Sequence, residues 1–156
     1  MNLKNKSLKY SINCDPKFKK PDSLIIKLFC DRVFDTNKIF NVDISFIFCN
    51  DEFLSKLKKK YFNKNHFTDV IAFRMNEVDE KEIEGEVYIS LDRALENSHI
   101  YNEPYEKEII RLVIHGCLHL IGFNDKTKKE KKIMTIMEEE FLNINKWEKL
   151  LKNTNE

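Results

Sequence analysis

Ile114-His115-Gly116-Cys117-Leu118-His119-Leu120-Ile121-Gly122-Phe123-Asn124-Asp125 is the stretch on which the reading of this chain turns. His115 and His119 stand four residues apart. On a helix that separation is about 40° of rotation, so both imidazoles project from one face, one turn apart. A divalent metal needs that geometry from two ligands on one helix. Gly122 follows three residues after His119, and Asp125 three after that. A glycine can take the left-handed conformation that ends a helix. The chain can then turn back and bring Asp125 to the same ion. Two nitrogens and one carboxylate oxygen leave a fourth position open, which is how catalytic rather than structural zinc is held.

A histidine on an apolar face is more often a satisfied core residue than a ligand, and a pair at this spacing is by itself weak evidence. Three features favour the metal. The chain has only three glycines, and two of them, Gly116 and Gly122, lie in this stretch. Gly116 falls in a helix interior, where glycine costs about 1 kcal/mol against alanine, so close packing or function must hold it there. The flanking Leu112, Val113, Leu118, Leu120 and Ile121 set the ligands against a dry wall.

The 156 residues suggest one domain, 1–156, long enough to bury a core, with the ends 1–7 and 152–156 loose. A hydrophobic fraction of 42% with twelve Phe excludes a disordered chain. The net charge of +1 gives no overall attraction to nucleic acid, so any such attraction must come from the distribution of charge. Cys14, Cys30, Cys49 and Cys117 are widely spaced without a C-x-x-C, and Cys117 points away from the histidine face; buried free thiols are expected. The first residues, Met1 to Lys6, lack the apolar region of a signal peptide, and no apolar run reaches membrane-spanning length. A cytoplasmic protein is expected.

Outward from the metal stretch, Leu8–Asn13 alternates as a half-buried strand. Pro21-Asp22-Ser23 opens a helix with Leu24, Ile25, Leu28, Phe29, Val33 and Phe34 inward. Val42–Cys49 begins by alternating and ends apolar, as a central strand covered on both faces does. Asn50 caps a helix that turns Phe53, Leu54, Leu57 and Tyr61 to one side and spreads Lys56, Lys58, Lys59 and Lys60 around the rest. Such lysines form a solvated face or a phosphate-attracting one, with nothing in the pattern to decide. Phe67–Arg74 is a strand candidate; an acidic loop from Glu77 to Glu84 leads to Gly85, which introduces another strand at Glu86–Ser90. The result is a four-stranded sheet. A helix over Leu91–Tyr101 should bury Leu91, Ala94, Leu95 and Ser98. Pro104 starts the helix that carries the metal stretch. A last helix over about 128–143 should bury Ile133, Ile136, Met137, Phe141 and Leu142, with Trp147, Leu150 and Leu151 closing the core. Its order of lysines first (Lys126 to Lys132) and glutamates last (Glu138 to Glu140) opposes the helix dipole.

The histidine spacing is shared with a class of zinc proteases, but those need a glutamate directly after the first histidine, and Gly116 stands there. A metal-activated water can attack a phosphodiester without that glutamate. Lysines on both sides of the site, such as Lys64 and Lys126, could hold an RNA backbone.

His115-Gly116-Cys117-Leu118-His119-Leu120-Ile121-Gly122-Phe123 resembles the signature of the YbeY family of bacterial metal-dependent endoribonucleases and rRNA maturation factors, which reads His-Gly-x-Leu-His-Leu-x-Gly-Tyr-Asp-His. Thr68-Asp69-Val70-Ile71-Ala72-Phe73, after Tyr61, is similar to that family's Thr-Asp-Val-Leu-Ser-Phe, and Gly85-Glu86-Val87-Tyr88-Ile89-Ser90 to its Gly-Asp-Ile-x-Ile-Ser. Met137 and Glu140 are read as counterparts of a family methionine and glutamate in the last helix. The resemblance runs over roughly residues 42 to 142. This chain departs from it at Asp125, in place of the third histidine, at Asn124, at Phe67, at Glu86, and at Phe62, where the family carries an arginine thought to face substrate. By position alone, Arg74 is the candidate to replace that arginine.

The resemblance implies an α+β fold: a small four-stranded mixed sheet with about five helices, and the metal at the end of a central helix, at the mouth of a basic cleft. It implies metal ligands His115, His119 and Asp125, one divalent ion with zinc first in line, and substrate contacts from Thr68, Asp69, Lys64 and Lys126. The implied substrate is single-stranded RNA, the implied partner the ribosome, and the implied role maturation of the 3′ end of 16S rRNA and ribosome quality control. The rival readings are a non-catalytic RNA-binding assembly factor stabilised by its metal and, third, a zinc protease.

Overall fold

A computed structural model describes residues 6–63, 68–77 and 81–152. Among these, four strands and five helices follow in the order β1 (Ser7–Cys14), α1 (Ser23–Thr36), β2 (Asn41–Cys49), α2 (Asp51–Phe62), β3 (Val70–Arg74), β4 (Glu82–Ser90), α3 (Leu91–Ile100), α4 (Tyr105–Ile121) and α5 (Lys128–Leu142). The sheet order is β1-β2-β4-β3. β1, β2 and β4 run parallel, and β3 closes the edge antiparallel to β4. The mixed α+β architecture is the one anticipated.

The core lies between one sheet face and the helices α1 and α4. Val42, Ile44, Phe46 and Phe48 of β2 and Ile83, Val87 and Ile89 of β4 supply the sheet side. Ile109, Ile110, Leu112, Val113, Cys117 and Leu118 make α4 apolar around much of its girth, as a buried central helix must be. The opposite sheet face is covered only in part, by α2, whose Leu54 packs over Cys49 and Ile71. β2 is therefore not shielded on both faces along its length: Ile47 stays half-buried.

Two glycines set the approach of α4 to the sheet. A Cβ on Gly116 would stand 2.6 Å from Val87 Cγ1. A Cβ on Gly85 would meet Leu120 Cδ2 and the Phe73 carbonyl, each at 2.9 Å. Gly85 accordingly sits in mid-strand, opposite Ile44, and does not introduce the strand. Glu82 and Glu84, assigned above to a loop, belong to β4 and point their acids to solvent.

Several helix faces are rotated from their expected positions. Leu24 and Leu28 of α1 are exposed, while Ile26 and Cys30 are buried. The buried set Ile26, Phe29, Cys30, Val33 and Phe34 is a complete i, i+3, i+4, i+7, i+8 face, about one residue step away from the one read in the sequence. Leu95 of α3 is exposed. In α5 Ile133 and Ile136 face solvent, and Met134, Glu138, Phe141 and Leu142 face inward. A glutamate on the inner face disguised the period. A capping box between Thr127 and Glu130 supplies the acid that the start of α5 otherwise lacks.

At the ends, Ser7 already pairs with Asn41, and its N–H donates to the Phe40 carbonyl at 2.7 Å; Lys152 closes a turn onto Lys149. Leu150 is buried, with Trp147 and Leu151 packed against the core. The four cysteines are free thiols, all buried except the half-buried Cys14. No described helix is long and apolar enough to cross a membrane.

Gly116→Ala should lower stability. The overpacking against a stiff β-branched valine costs about 1–3 kcal/mol, which exceeds the gain of about 1 kcal/mol in helix propensity. Val87→Ala should cost less in the Gly116→Ala background than alone, because it vacates the colliding methyl. Urea unfolding of the four proteins of this cycle checks both expectations.

Candidate metal centre

Helix α4 presents His115 and His119 near its C-terminus. Their Nε2 atoms approach to 2.9 Å, with the rings edge-on at 79°. The helix stops at Gly122, whose φ of 121° suits glycine and strains any other residue. The Gly122 N–H donates to the carbonyls of Leu118 and His119, and the Phe123 N–H to Leu118 at 3.0 Å. This tight stop turns the chain back at once. Asp125 Oδ2 comes to 3.2 Å from His115 Nε2 and 3.3 Å from His119 Nε2.

Three donor atoms thus form a nearly equilateral triangle of 2.9, 3.2 and 3.3 Å. Donors about 2.1 Å from a common zinc at tetrahedral angles lie about 3.4 Å apart. The set fits a divalent ion in size and in chemistry, and all three residues are half-buried.

The protein holds His115 from behind through Glu138, which the sequence reading counted only among the acids at the end of the last helix. Glu138 is 2% exposed, and its Oε2 lies 2.6 Å from His115 Nδ1. A carboxylate only accepts, so Nδ1 carries the proton and Nε2 offers its lone pair to the donor triangle. Burial works against charge on His115, but the hydrogen bond and negative charge of Glu138, with Asp125 and Asp69 beyond, outweigh it and raise its pKa. Among the described residues His119 has no carboxylate behind it and bonds the Phe123 backbone instead. Burial and then the neighbouring His115 lower its pKa, although Asp125 pulls the other way. Both effects keep Nε2 of His119 unprotonated near neutrality, ready to ligate.

The sequence held a signal for Glu138. It stands four residues after Met134 and three before Phe141, both buried, so it had to share their face. The inward methionine and glutamate are therefore Met134 and Glu138, whereas Glu140 is exposed and Met137 half-buried.

The remaining site candidates are dispersed. Arg74 Nη1 donates to the Leu120 carbonyl at 2.9 Å, Nη2 donates to the carbonyls of Glu82 and Glu77, and Nε to Asn76. The guanidinium thus ties β3 to the carbonyl end of α4, where a cation is favoured. Thr68 Oγ1 reaches the Val70 carbonyl at 3.5 Å. Asp69 accepts from Asn97 at 3.2 Å, and its charge reaches His115. Lys126 is exposed beside Asp125. Lys64 and Phe67 lie outside the described residues. Phe62 is 43% exposed and stacks on Phe73 at 5.9 Å; Lys58 Nζ stands 4.7 Å over its ring.

The sequence pattern described as endoribonuclease YbeY matches residues 11–146. The endoribonuclease YbeY of Amoebophilus asiaticus is 39% identical over 132 residues, 85% of this chain and 89% of that one. That of Cytophaga hutchinsonii is 34% identical over 122 residues, 78% of this chain and 85% of that one. A solution structure of a Thermotoga maritima protein superposes with a TM-score of 0.58 at 24% identity, covering 86% of this chain and 87% of that one, and shares the fold.

Replacing Glu138 with Gln should weaken zinc binding about 10- to 100-fold, because an amide is a poorer acceptor for Nδ1–H and can present its NH2 instead. Competition against a chromophoric chelator measures this directly.

Proposed function

This chain belongs to the endoribonuclease YbeY family, and we propose that it is a metal-dependent endoribonuclease that cuts single-stranded RNA. The observation that carries the proposal is the triangle of His115, His119 and Asp125 donors in a chain matched by that family over 11–146. These three residues would hold one divalent ion. Zinc is the natural occupant of two imidazoles and a carboxylate, although the oxygen ligand admits harder ions more readily than a third histidine does. Such an ion supplies Lewis acidity to a phosphoryl oxygen and makes a nucleophilic water available near neutral pH.

The chain's own residues do the rest. Glu138 keeps the His115 ring oriented and, in the neutral ring, holds the proton on Nδ1 so that Nε2 bears the lone pair. Gly116 leaves no carboxylate directly after the first histidine, so the peptide-cleaving base of the similarly spaced zinc proteases is missing. Lys126, Lys128 and Lys129 line the chain just after Asp125, and Lys58, Lys59 and Lys60 lie on α2, which leads toward Thr68 and Asp69. Both groups suit a phosphate backbone, with affinity that falls as salt rises. Lys58, poised over Phe62, puts a cation where the family carries its arginine. Arg74, by its bonds to the end of α4, would shape the site rather than touch substrate. We read 1–156 as one hydrolase domain of the cytoplasm, acting with the ribosome in maturation of the 3′ end of 16S rRNA and in ribosome quality control.

Phe62 favours one alternative, a non-catalytic assembly factor that binds RNA around a structural metal. The two readings differ in what metal removal does. As an enzyme, the protein should lose at least about 100-fold in cleavage of single-stranded RNA on chelation, or as His119→Ala, while its far-ultraviolet circular dichroism persists. Asp125→His should keep cleavage. RNA retained without any cut by the metal-loaded protein, together with unfolding on chelation, supports the assembly factor instead.

A further inference from the structure

Behind His115 lies a row of buried charge that the reaction does not call for. Glu108 and Glu138 are each 2% exposed, on neighbouring helices α4 and α5. Arg111, one turn before His115, stands between them. Its Nε donates to Glu108 Oε1 at 2.7 Å and its Nη2 to Glu108 Oε2; its Nη1 donates to Glu138 Oε1 at 3.1 Å. Burial alone would make this guanidinium easier to deprotonate, but Glu108 first and Glu138 second hold it firmly charged. The row continues outward. Asn97 Nδ2 of α3 donates to Glu108 Oε2 at 3.1 Å and to Asp69 Oδ2 at 3.2 Å. Asp69 begins the approach to β3, so one hydrogen-bonded path runs from Asp69 through Asn97, Glu108, Arg111 and Glu138 to His115.

Among the described residues the two Glu138 oxygens take different partners: Oε1 takes Arg111, and Oε2 takes His115. A carboxylate on a three-bond side chain has rotational freedom, and only a second bond fixes which oxygen faces the imidazole. The planar guanidinium does this, since its fork clamps Glu108 on one side and leaves Nη1 aimed at Glu138. A lysine could keep the charge but not both directions.

We infer that Arg111 is a positioning residue of the metal centre, setting the orientation of Glu138 and through it of His115. The inference rests on the metal-centre reading above. It assigns to Arg111 a contribution to metal affinity although it touches no ligand atom of the ion.

The test uses the full chain and Zn2+ alone, without RNA. Zinc affinity is measured by chelator competition for wild type, Arg111→Met, Arg111→Lys, Glu138→Gln and the Arg111→Met/Glu138→Gln pair. Nitrogen-15 spectra of the metal-free proteins follow the His115 Nδ1–H proton. Arg111→Met should weaken zinc binding by about 10-fold or more, within the range of outer-shell substitutions. Arg111→Lys should recover part of the loss, and the double variant should bind no more weakly than Glu138→Gln alone, because Arg111 acts only through that residue. The Nδ1–H signal, sharp in wild type, should broaden by exchange with water in both Arg111 variants. A cavity of about 350 Å³ bordered by Arg111, Tyr101, Lys107 and Thr135 gives the lysine and its water room, so Arg111→Lys carries the test if the methionine variant fails to fold. Unchanged zinc affinity in folded Arg111 variants, or losses that multiply in the double variant, overturn the inference and leave the metal centre standing. A wild-type protein that binds no Zn2+ overturns the metal centre itself.

Discussion

Helix α4 lies against strand β4 at a separation that only glycine permits. At Gly116 a methyl would collide with Val87, and at Gly85 one would collide with Leu120 and the Phe73 carbonyl. The two contacts are reciprocal: the helix offers a glycine to a strand valine, and the strand offers a glycine to a helix leucine. This interlock fixes both the depth and the rotation of α4. With Gly116 pressed onto the sheet, His115 and His119 turn to the side, toward Asp125. Cys117 turns the other way, to Cys30 of α1 at 3.7 Å between sulfurs. Arg74 then anchors the last turn by holding the Leu120 carbonyl from β3.

The same helix carries the cost of the site. Glu108, Arg111 and His115 succeed one another at intervals of three and four residues, so they form one polar seam along an otherwise apolar rod. Polar groups are tolerated there because Arg111 is bonded to Glu108, and Glu138 reaches across from α5 to bond both Arg111 and His115. A half-satisfied network in this position would be worse than an apolar one. The seam therefore ties the register of α5 on α4 to the geometry of the donor triangle.

Much of this was legible in the chain. The four-residue histidine spacing, Gly122 and Asp125 are local relations, and backbone geometry alone converts them into a cluster. The alternating strands and the helix starts at Asp22 and Asn50 were equally local. The phases of α1 and α5 were not. Leu24, Leu28, Ile133 and Ile136 are apolar yet face solvent, and Glu138 is charged yet buried. Hydrophobic periodicity reports an average preference, and on a short helix with apolar residues on two sides it cannot choose the side. Gly85 misled for a related reason. Its lack of a side chain suggested a turn, while the cause was the close passage of Leu120 from a helix thirty-five residues further along.

By itself, the sequence determined the clustering of His115, His119 and Asp125, because they lie within eleven consecutive residues whose helix and stop are set by local geometry. It determined the class of fold through the order of its alternating and helical segments. Only the tertiary structure decided which carboxylate stands behind His115. Glu138 is twenty-three residues away, on another helix, and one of three consecutive glutamates alike in composition. Choosing among them takes the packing of α5 on α4, since burial against a cationic partner is a property of two surfaces in contact and of neither helix alone.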